Sequence, residues 1–263
     1  MSNLVLNASK RGWARLLRLR RALRRLTAAT PRTVASAYDL WSATYDDEGD
    51  NLLVLLDEDL FAGLLARIDV SGKCVVDVGC GTGRHWGKLL ARAPSQLVGY
   101  DVSPGMLAQL RSKNPAATVH LASAEALVHT AAGTCDLLIS TLALSHVADA
   151  DAAIREWARV LREGGDLLLT DFHPAAAAVA ETTFVRRGRV IAIEKRARPL
   201  RALEAALVQA GFEPVVREER LIDEAVRHHY ERAGKGEVYQ ALRGTPLLYG
   251  MHWVKKRPPA APP

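Results

Sequence analysis

Cysteines and aromatics are scarce in this chain, long apolar runs are missing, and no acidic residue precedes Asp39. Each shortage excludes something. The three cysteines, Cys74, Cys80 and Cys135, sit in apolar or glycine-rich surroundings without metal-ligand spacing. An odd count of that kind fits neither a disulfide framework nor a zinc site, and it points to a reduced, cytoplasmic setting. No metal is expected. No stretch approaches the roughly 18 uncharged apolar residues that a membrane-spanning helix needs. The missing acids leave a strongly basic start: Lys10, Arg11, Arg15, Arg18, Arg20, Arg21, Arg24, Arg25 and Arg32 stand before Asp39 unopposed. That arm accounts for more than the whole net charge of +6, so the rest of the chain is mildly acidic. A protein that coats nucleic acid with its body would carry the opposite balance, and no nucleic-acid partner is expected.

What is present is enough for one large domain: 263 residues, of which 49% are hydrophobic. The pattern predicts a basic arm at 1–36, a main domain at 37–256 and a Pro/Ala-rich disordered tail at 257–263. Within the arm, residues 9–27 read as a helix. Trp13, Leu16, Leu17, Leu19, Leu23 and Leu26 fall on one side and most arginines on the other, although Arg20 and Arg24 intrude on the apolar face. Three uses stay open: a lid packed on its own domain, a helix lying on an anionic membrane surface, or a targeting segment. On the second of these the protein is peripheral to a membrane.

From Asn51 to Arg67 leucines recur at helical spacing, and beyond Ser71-Gly72 short apolar runs alternate with helical segments. The runs are Cys74–Val78, Gln96–Asp101, Thr118–Ala122, Cys135–Ser140 and Asp166–Asp171, followed after another helix by Phe212–Arg217 and Pro246–Lys255. Continuous apolar strands between helices predict an α/β, doubly wound, mostly parallel sheet of seven strands. Two segments interrupt the alternation as cap insertions. Near 172–198, Thr183–Val185 and Val190–Ile193 pair across Arg187-Gly188; near 222–244 the chain is helical and charged.

The stretch CVVDVGCGTG carries the most chemistry. Gly79, Gly81 and Gly83 alternate directly after the first strand, where bare backbone and a helix N-terminus let a ligand approach closely. A phosphate ligand alone does not account for Asp77, whose carboxylate would repel a pyrophosphate and suit an ammonium or sulfonium. Asp101 ends the second strand, where a carboxylate can accept both hydroxyls of a ribose. A cationic nucleoside therefore fits, and S-adenosyl-L-methionine (SAM) is one; a dinucleotide fits poorly.

These residues, with VGYDVSPGML (Val98–Leu107), CDLLISTLALSHV (Cys135–Val147) and LREGGDLLLTDFHP (Leu161–Pro174), resemble the motifs of the class I SAM-dependent methyltransferases, in particular their small-molecule branch. AYDLWSATYD (Ala37–Asp46) resembles the segment that closes over the cofactor in that family, which brings in Tyr45. The resemblance covers about Ala37 to Lys255. It implies a Rossmann-like fold and SAM as cofactor. It also implies that Gly79, Cys80, Gly81 and Gly83 lie along the methionine part, with Asp77 at its amino group. Asp101 takes the ribose hydroxyls, Val102 and Met106 flank the adenine, and Thr141 and Leu142 continue the wall. The family often has Asp-Ala after the third strand, to accept from the adenine amino group. Here Ser123-Ala124-Glu125 stands instead, so either Ser123 or Glu125 serves that contact. Cys80 reads as a small packing residue, not a nucleophile.

Methyl transfer from a sulfonium is an in-line displacement that needs an acceptor held in position. If the acceptor is an alcohol or phenol, a histidine near neutral pKa suits its proton. His146 and His173 follow the fourth and fifth strands and are the catalytic candidates. Tyr38 and Asp171 lie within reach, while His85 reads as a cofactor-side or helix-start residue and His228 and His229 as surface or cap residues. The expected function is methylation of a small-molecule acceptor, on oxygen in preference to carbon or nitrogen. A lipid- or quinone-like carbon acceptor at a membrane surface is the alternative. A nucleic-acid methyltransferase fits less well, because neither an Asp/Asn-Pro-Pro-aromatic motif nor a Pro-Cys nucleophile is present.

Overall fold

A computed structural model describes residues 33–47, 51–177, 182–186, 189–196 and 198–257. The helix expected at 9–27 and most of the tail lie outside the described residues. Five parallel strands follow the expected runs: β1 (Cys74–Val78), β2 (Gln96–Asp101), β3 (Thr118–Leu121), β4 (Cys135–Thr141) and β5 (Leu161–Phe172). Two more, β8 (Phe212–Leu221) and β9 (Pro246–Lys255), complete a sheet of order β3-β2-β1-β4-β5-β9-β8. β9 runs antiparallel to both of its neighbours. β6 (Thr182–Arg186) and β7 (Arg189–Ile193) form a separate antiparallel hairpin in the first insertion, paired in the register that the sequence implied.

Nine helices of the described residues connect and flank these strands. They are α1 (Val34–Trp41), α2 (Leu52–Leu65), α3 (Trp86–Leu90), α4 (Pro104–Lys113), α5 (Ala150–Val160), α6 (Pro174–Ala177), α7 (Leu200–Gln209), α8 (Arg227–Arg232) and α9 (Gly236–Leu242). Alternate strand residues serve opposite faces, which is why the strands are apolar throughout. Val76, Leu138 and Leu167 face Trp157 of α5 and Leu203 of α7. Val75, Leu137 and Leu168 face Phe61 of α2, Leu89 of α3 and Leu107 of α4.

Two boundaries differ from expectation. β5 begins at Leu161, because the turn after α5 is pulled into the sheet. Arg162 Nε donates to Asp136 Oδ1 at 2.5 Å, and Lys255 Nζ donates to the carbonyls of Ala158 and Leu161. β8 continues to Leu221 because β9 supplies partners as far as Pro246. The strand order reverses between β1 and β4, and such a switch point opens a crevice at the strands' C-terminal ends.

Candidate functional site

The glycine loop lies at that crevice. Gly79, Gly81 and Gly83 have φ of 74°, 52° and 77°, in the left-handed region that side chains rarely adopt. A Cβ on Gly79 would stand 2.4 Å from the Cβ of Ala143, so the loop also needs glycine to pass under the β4 end. Above Gly81 nothing lies within 4 Å of the same position: there the bare backbone faces open space. Cys80 points inward and is buried among α3, α4 and β3 residues, in a packing role.

Two carboxylates flank the loop. Asp77 is 3% exposed and its Oδ2 accepts from the indole N–H of Trp86 at 2.9 Å. Burial pushes its pKa up to about 7, and Asp101 pushes the same way, against the pull of the Trp86 hydrogen bond and of Arg84. Asp101 takes one backbone N–H on each oxygen, from Gly81 at 2.9 Å and from Ser103 at 2.8 Å. A carboxylate oxygen has two lone-pair directions, so each still has one to offer. Burial raises the Asp101 pKa as well, opposed by those backbone donors. The pair is a pocket of negative charge with no cation seated on it by any described hydrogen bond or ion pair.

The segment from α1 to the 3-10 turn Tyr45–Asp47 covers this loop. Asp39 accepts from the Gly105 N–H at 2.6 Å, tying α1 to the start of α4. Asp46 accepts from the Thr82 hydroxyl at 2.7 Å and pairs with Lys113 at 2.8 Å. Met106 is buried against Ala37, Trp41 and Phe184, so α1, α4 and the hairpin share one apolar cluster. Burial raises the pKa of Tyr38 and Tyr45, and Asp101 is among the charges that raise both.

At the β4 end, Leu142 holds φ of 52° while its N–H donates to the carbonyl of Thr170. A branched residue in that conformation is strained, and such strain clusters at functional sites. Thr141 and Leu142 are half-buried beside the glycine loop's neighbour Ala143. His146 follows in a 3-10 turn, 9% exposed, with its ring 5.5 Å from Tyr38 and 6.4 Å from Phe172. Its Nδ1 lies 2.7 Å from the carbonyl oxygen of Glu194. A carbonyl only accepts, so Nδ1 carries the proton and Nε2 presents a lone pair. That Nε2 is buried without a hydrogen-bond partner. Burial takes the His146 pKa down to about 4, so the ring is neutral.

His173 is placed differently. Its Nδ1 accepts from the Ala175 N–H at 3.1 Å and its Nε2 stands 3.8 Å from Glu219 on β8. The structure gives it a helix-capping set of partners, apart from the contacts of His146. Asp171 is buried with a pKa raised to about 6 by desolvation, and accepts from the Ser145 and Phe172 N–H groups. After β3, Ser123 and Ala124 are half-buried, and Glu125 turns toward the start of α5, where it accepts from the Asp149 N–H at 3.4 Å. Val102 is half-buried directly after Asp101.

A methyltransferase-domain family profile matches residues 76–169. An uncharacterised methyltransferase of Emericella nidulans is 32% identical over 76% of this chain and 85% of its own length. The chain belongs to the class I SAM-dependent methyltransferases. A ubiquinone biosynthesis O-methyltransferase of Xanthomonas oryzae pv. oryzae is 35% identical over 44% of the chain; the chain spans about half, 50%, of that relative. Among solved structures, a SAM-dependent methyltransferase of Mesorhizobium loti superposes with a TM-score of 0.58. It is 25% identical, with 74% of this chain and 97% of that one covered.

The methyl donor of this methyltransferase is SAM, and the crevice suits it. A buried carboxylate beside a half-buried one, neither ion-paired among the described residues, calls for a cation, and the open face of Gly81 admits a ligand to the backbone. The structure also reveals a buried cluster that sequence reasoning missed. Asp57 of α2, fully buried, accepts from Arg84 at 2.6 Å, His85 at 3.2 Å and the Thr170 hydroxyl. Burial raises its pKa, but His85, Arg84 and Thr170 together outweigh that and leave it lowered. His85 thus ties the start of α3 to α2. The signal was in the sequence: Asp57 sits on the apolar stripe of Leu53, Leu60, Phe61 and Leu64, where a carboxylate needs a buried partner.

Proposed function

We propose that this methyltransferase carries the SAM methyl group to an oxygen atom of a small-molecule acceptor, with His146 receiving the acceptor's hydroxyl hydrogen. The observation that supports it best is the lone pair of His146 Nε2, neutral, buried and unpartnered while Nδ1 is committed to Glu194. A buried acceptor with nothing donating to it is costly unless a ligand does so. The O-methyltransferase relative from Xanthomonas agrees with oxygen as the target.

SAM supplies an electrophilic methyl on a sulfonium; the protein supplies position and charge. Gly79, Gly81 and Gly83 would carry the methionine part, with Asp77 at its amino group and Asp101 at the ribose hydroxyls. Val102 and Met106 would flank the adenine, Ser123 or Glu125 would meet its amino group, and Tyr45, Cys80, Ala124, Thr141 and Leu142 would complete the wall. With Glu125 engaged by the Asp149 N–H, Ser123 is the better placed of the two. Burial takes the His146 pKa down to about 4, away from the near-neutral value expected of a base, so Nε2 holds the hydroxyl hydrogen and orients the oxygen. It takes the proton only once methyl transfer has made that oxygen strongly acidic.

The test is a methyl-transfer assay with labelled SAM against catechols, phenols and hydroxy acids, the product's methylated atom being identified by mass spectrometry. His146→Ala should lower turnover about 10²–10⁴-fold, the usual worth of a positioned base, with product-cofactor affinity within twofold of the parent. Products methylated only on nitrogen or carbon, or an unchanged His146→Ala turnover, would sink the proposal.

A further inference from the structure

Two cavities border the cap, and their charges separate them. One, of about 470 Å3, is lined by Lys195, Arg196 and Arg198 together with Asp149, Asp151 and Asp171. Its acids are largely satisfied within the protein. Arg198 pairs with Asp151 at 2.7 Å, Asp149 caps α5 through the Ala152 N–H, and Asp171 holds two backbone N–H groups. Its lining thus carries both signs of charge, with its carboxylates already engaged.

The other, of about 480 Å3, lies between the first turn of α2 and α8. That volume falls within the range of small-molecule sites, about 300–1,000 Å3. Leu52, Leu53, Leu247 and the Tyr230 ring give it an apolar lining, and Arg232 and Lys235 stand at it with His229; no Asp or Glu lines it among the described residues. Arg232 Nη2 lies 3.2 Å from His229 Nδ1, which must be the acceptor because a guanidinium only donates. The contrast within the same insertion is informative: Arg227 is held between Glu224 at 2.9 Å and Glu231 at 2.6 Å. The insertion thus pairs its arginine on one side and leaves two cations facing an apolar hollow on the other.

The hollow's apolar residues belong to a cluster that continues to Leu142 and Phe172. The Phe172 ring is 6.4 Å from the ring of His146. The apolar cluster under the basic rim therefore extends to a residue beside the His146 ring.

We propose that this cavity recognises an amphipathic monoanion, an apolar body closed by a carboxylate, whose charged end meets Arg232 and Lys235 while its body lies on Leu52, Leu53 and Leu247. As a statement about the acceptor it rests on the reading of the enzyme as a small-molecule O-methyltransferase; as a statement about binding it stands alone. A guanidinium and an ammonium at one rim select against cations, and the leucines select for length.

The experiment is calorimetry on the full chain saturated with S-adenosylhomocysteine, titrated with decanoate, butyrate and decylammonium. Decanoate should bind at least tenfold more tightly than either of the others. The double variant Arg232→Ala/Lys235→Ala, changed at two exposed positions, should weaken decanoate at least tenfold and leave S-adenosylhomocysteine affinity unaltered. Absence of decanoate uptake, equal affinity for decylammonium, or full decanoate affinity in the double variant would overturn the proposal. A separate arm uses a hydroxylated long-chain carboxylate in the methyl-transfer assay. Binding without methylation there counts against the O-methyl reading and leaves the binding site standing.

Discussion

Asp77 holds opposing demands in one side chain. It is buried, receives a single indole N–H, and its pKa rises to about 7. An unfolded Asp titrates near 3.9, so between about 4 and 7 the folded chain holds a proton that the unfolded chain has lost. Stability from this group is therefore full below about pH 4 and declines as pH rises to about 7, at up to roughly 1.4 kcal/mol per unit. Asp171, raised to about 6, acts in the same sense over a narrower window. His146, lowered to about 4, acts in the opposite sense, losing stability as pH falls from about 6.5. Asp101, raised by burial too, adds to the Asp77 slope. A cationic donor reverses the preference of Asp77, so SAM binding at pH 6–7 should release up to one proton. Uncorrected calorimetric enthalpies in phosphate and imidazole buffers, which differ in ionisation enthalpy, report this directly, and the same observed enthalpy in both buffers would contradict it. Asp77→Asn should melt higher than the parent at pH 8, and bind SAM at least tenfold more weakly.

The element that closes the site is the run from α1 to Asp47, held by a few polar ties and one stacked pair. The Trp41 and Phe184 rings are stacked, with centroids 5.0 Å apart and planes nearly parallel, at 4°. The Asp46 tie to Lys113 is largely exposed, and exposed pairs contribute about 0–1 kcal/mol. Asp46→Ala also strips the buried Thr82 hydroxyl of its acceptor, so it should lower the unfolding free energy by about 1–3 kcal/mol, and raise the dissociation rate of S-adenosylhomocysteine severalfold in stopped-flow measurements. A loss of stability with no change in that rate would assign Asp46 to the fold alone. Elements of this kind were partly legible. The glycine spacing, the acids at 77 and 101, and the strand alternation are local patterns, and the β6–β7 pairing announced itself by two apolar runs close together in the chain. The tie of Asp57 to Thr170 spans 113 residues, and the Glu194 carbonyl meets His146 across 48. A one-dimensional pattern reveals that Asp57 is out of place on its helix but not which side chain answers it. His173 looked equivalent to His146 because both follow strands; only the neighbouring backbone separates a capping ring from one with a free lone pair.

At the scale of the molecule, the two faces of the sheet are closed by separate helix sets, and the α5–α7 face turns on Trp157. This side chain is fully buried, and its N–H donates to the carbonyl of Ala124 at 3.1 Å, next to Ser123. Trp157→Ala should cost about 3–5 kcal/mol in denaturant titrations, and a cost below 1 kcal/mol would show that this face collapses without it. The sheet's order carries one more consequence. β8 pairs with β9 alone, and β9 is the strand between it and β5. During synthesis β8 emerges with no edge to join, while β5 presents a bare hydrogen-bonding rim until β9 arrives to fill the slot between them. The half-made protein should therefore be sticky at a predictable place, and a peptide matching Pro246–Lys255 should delay its completion by occupying that slot first.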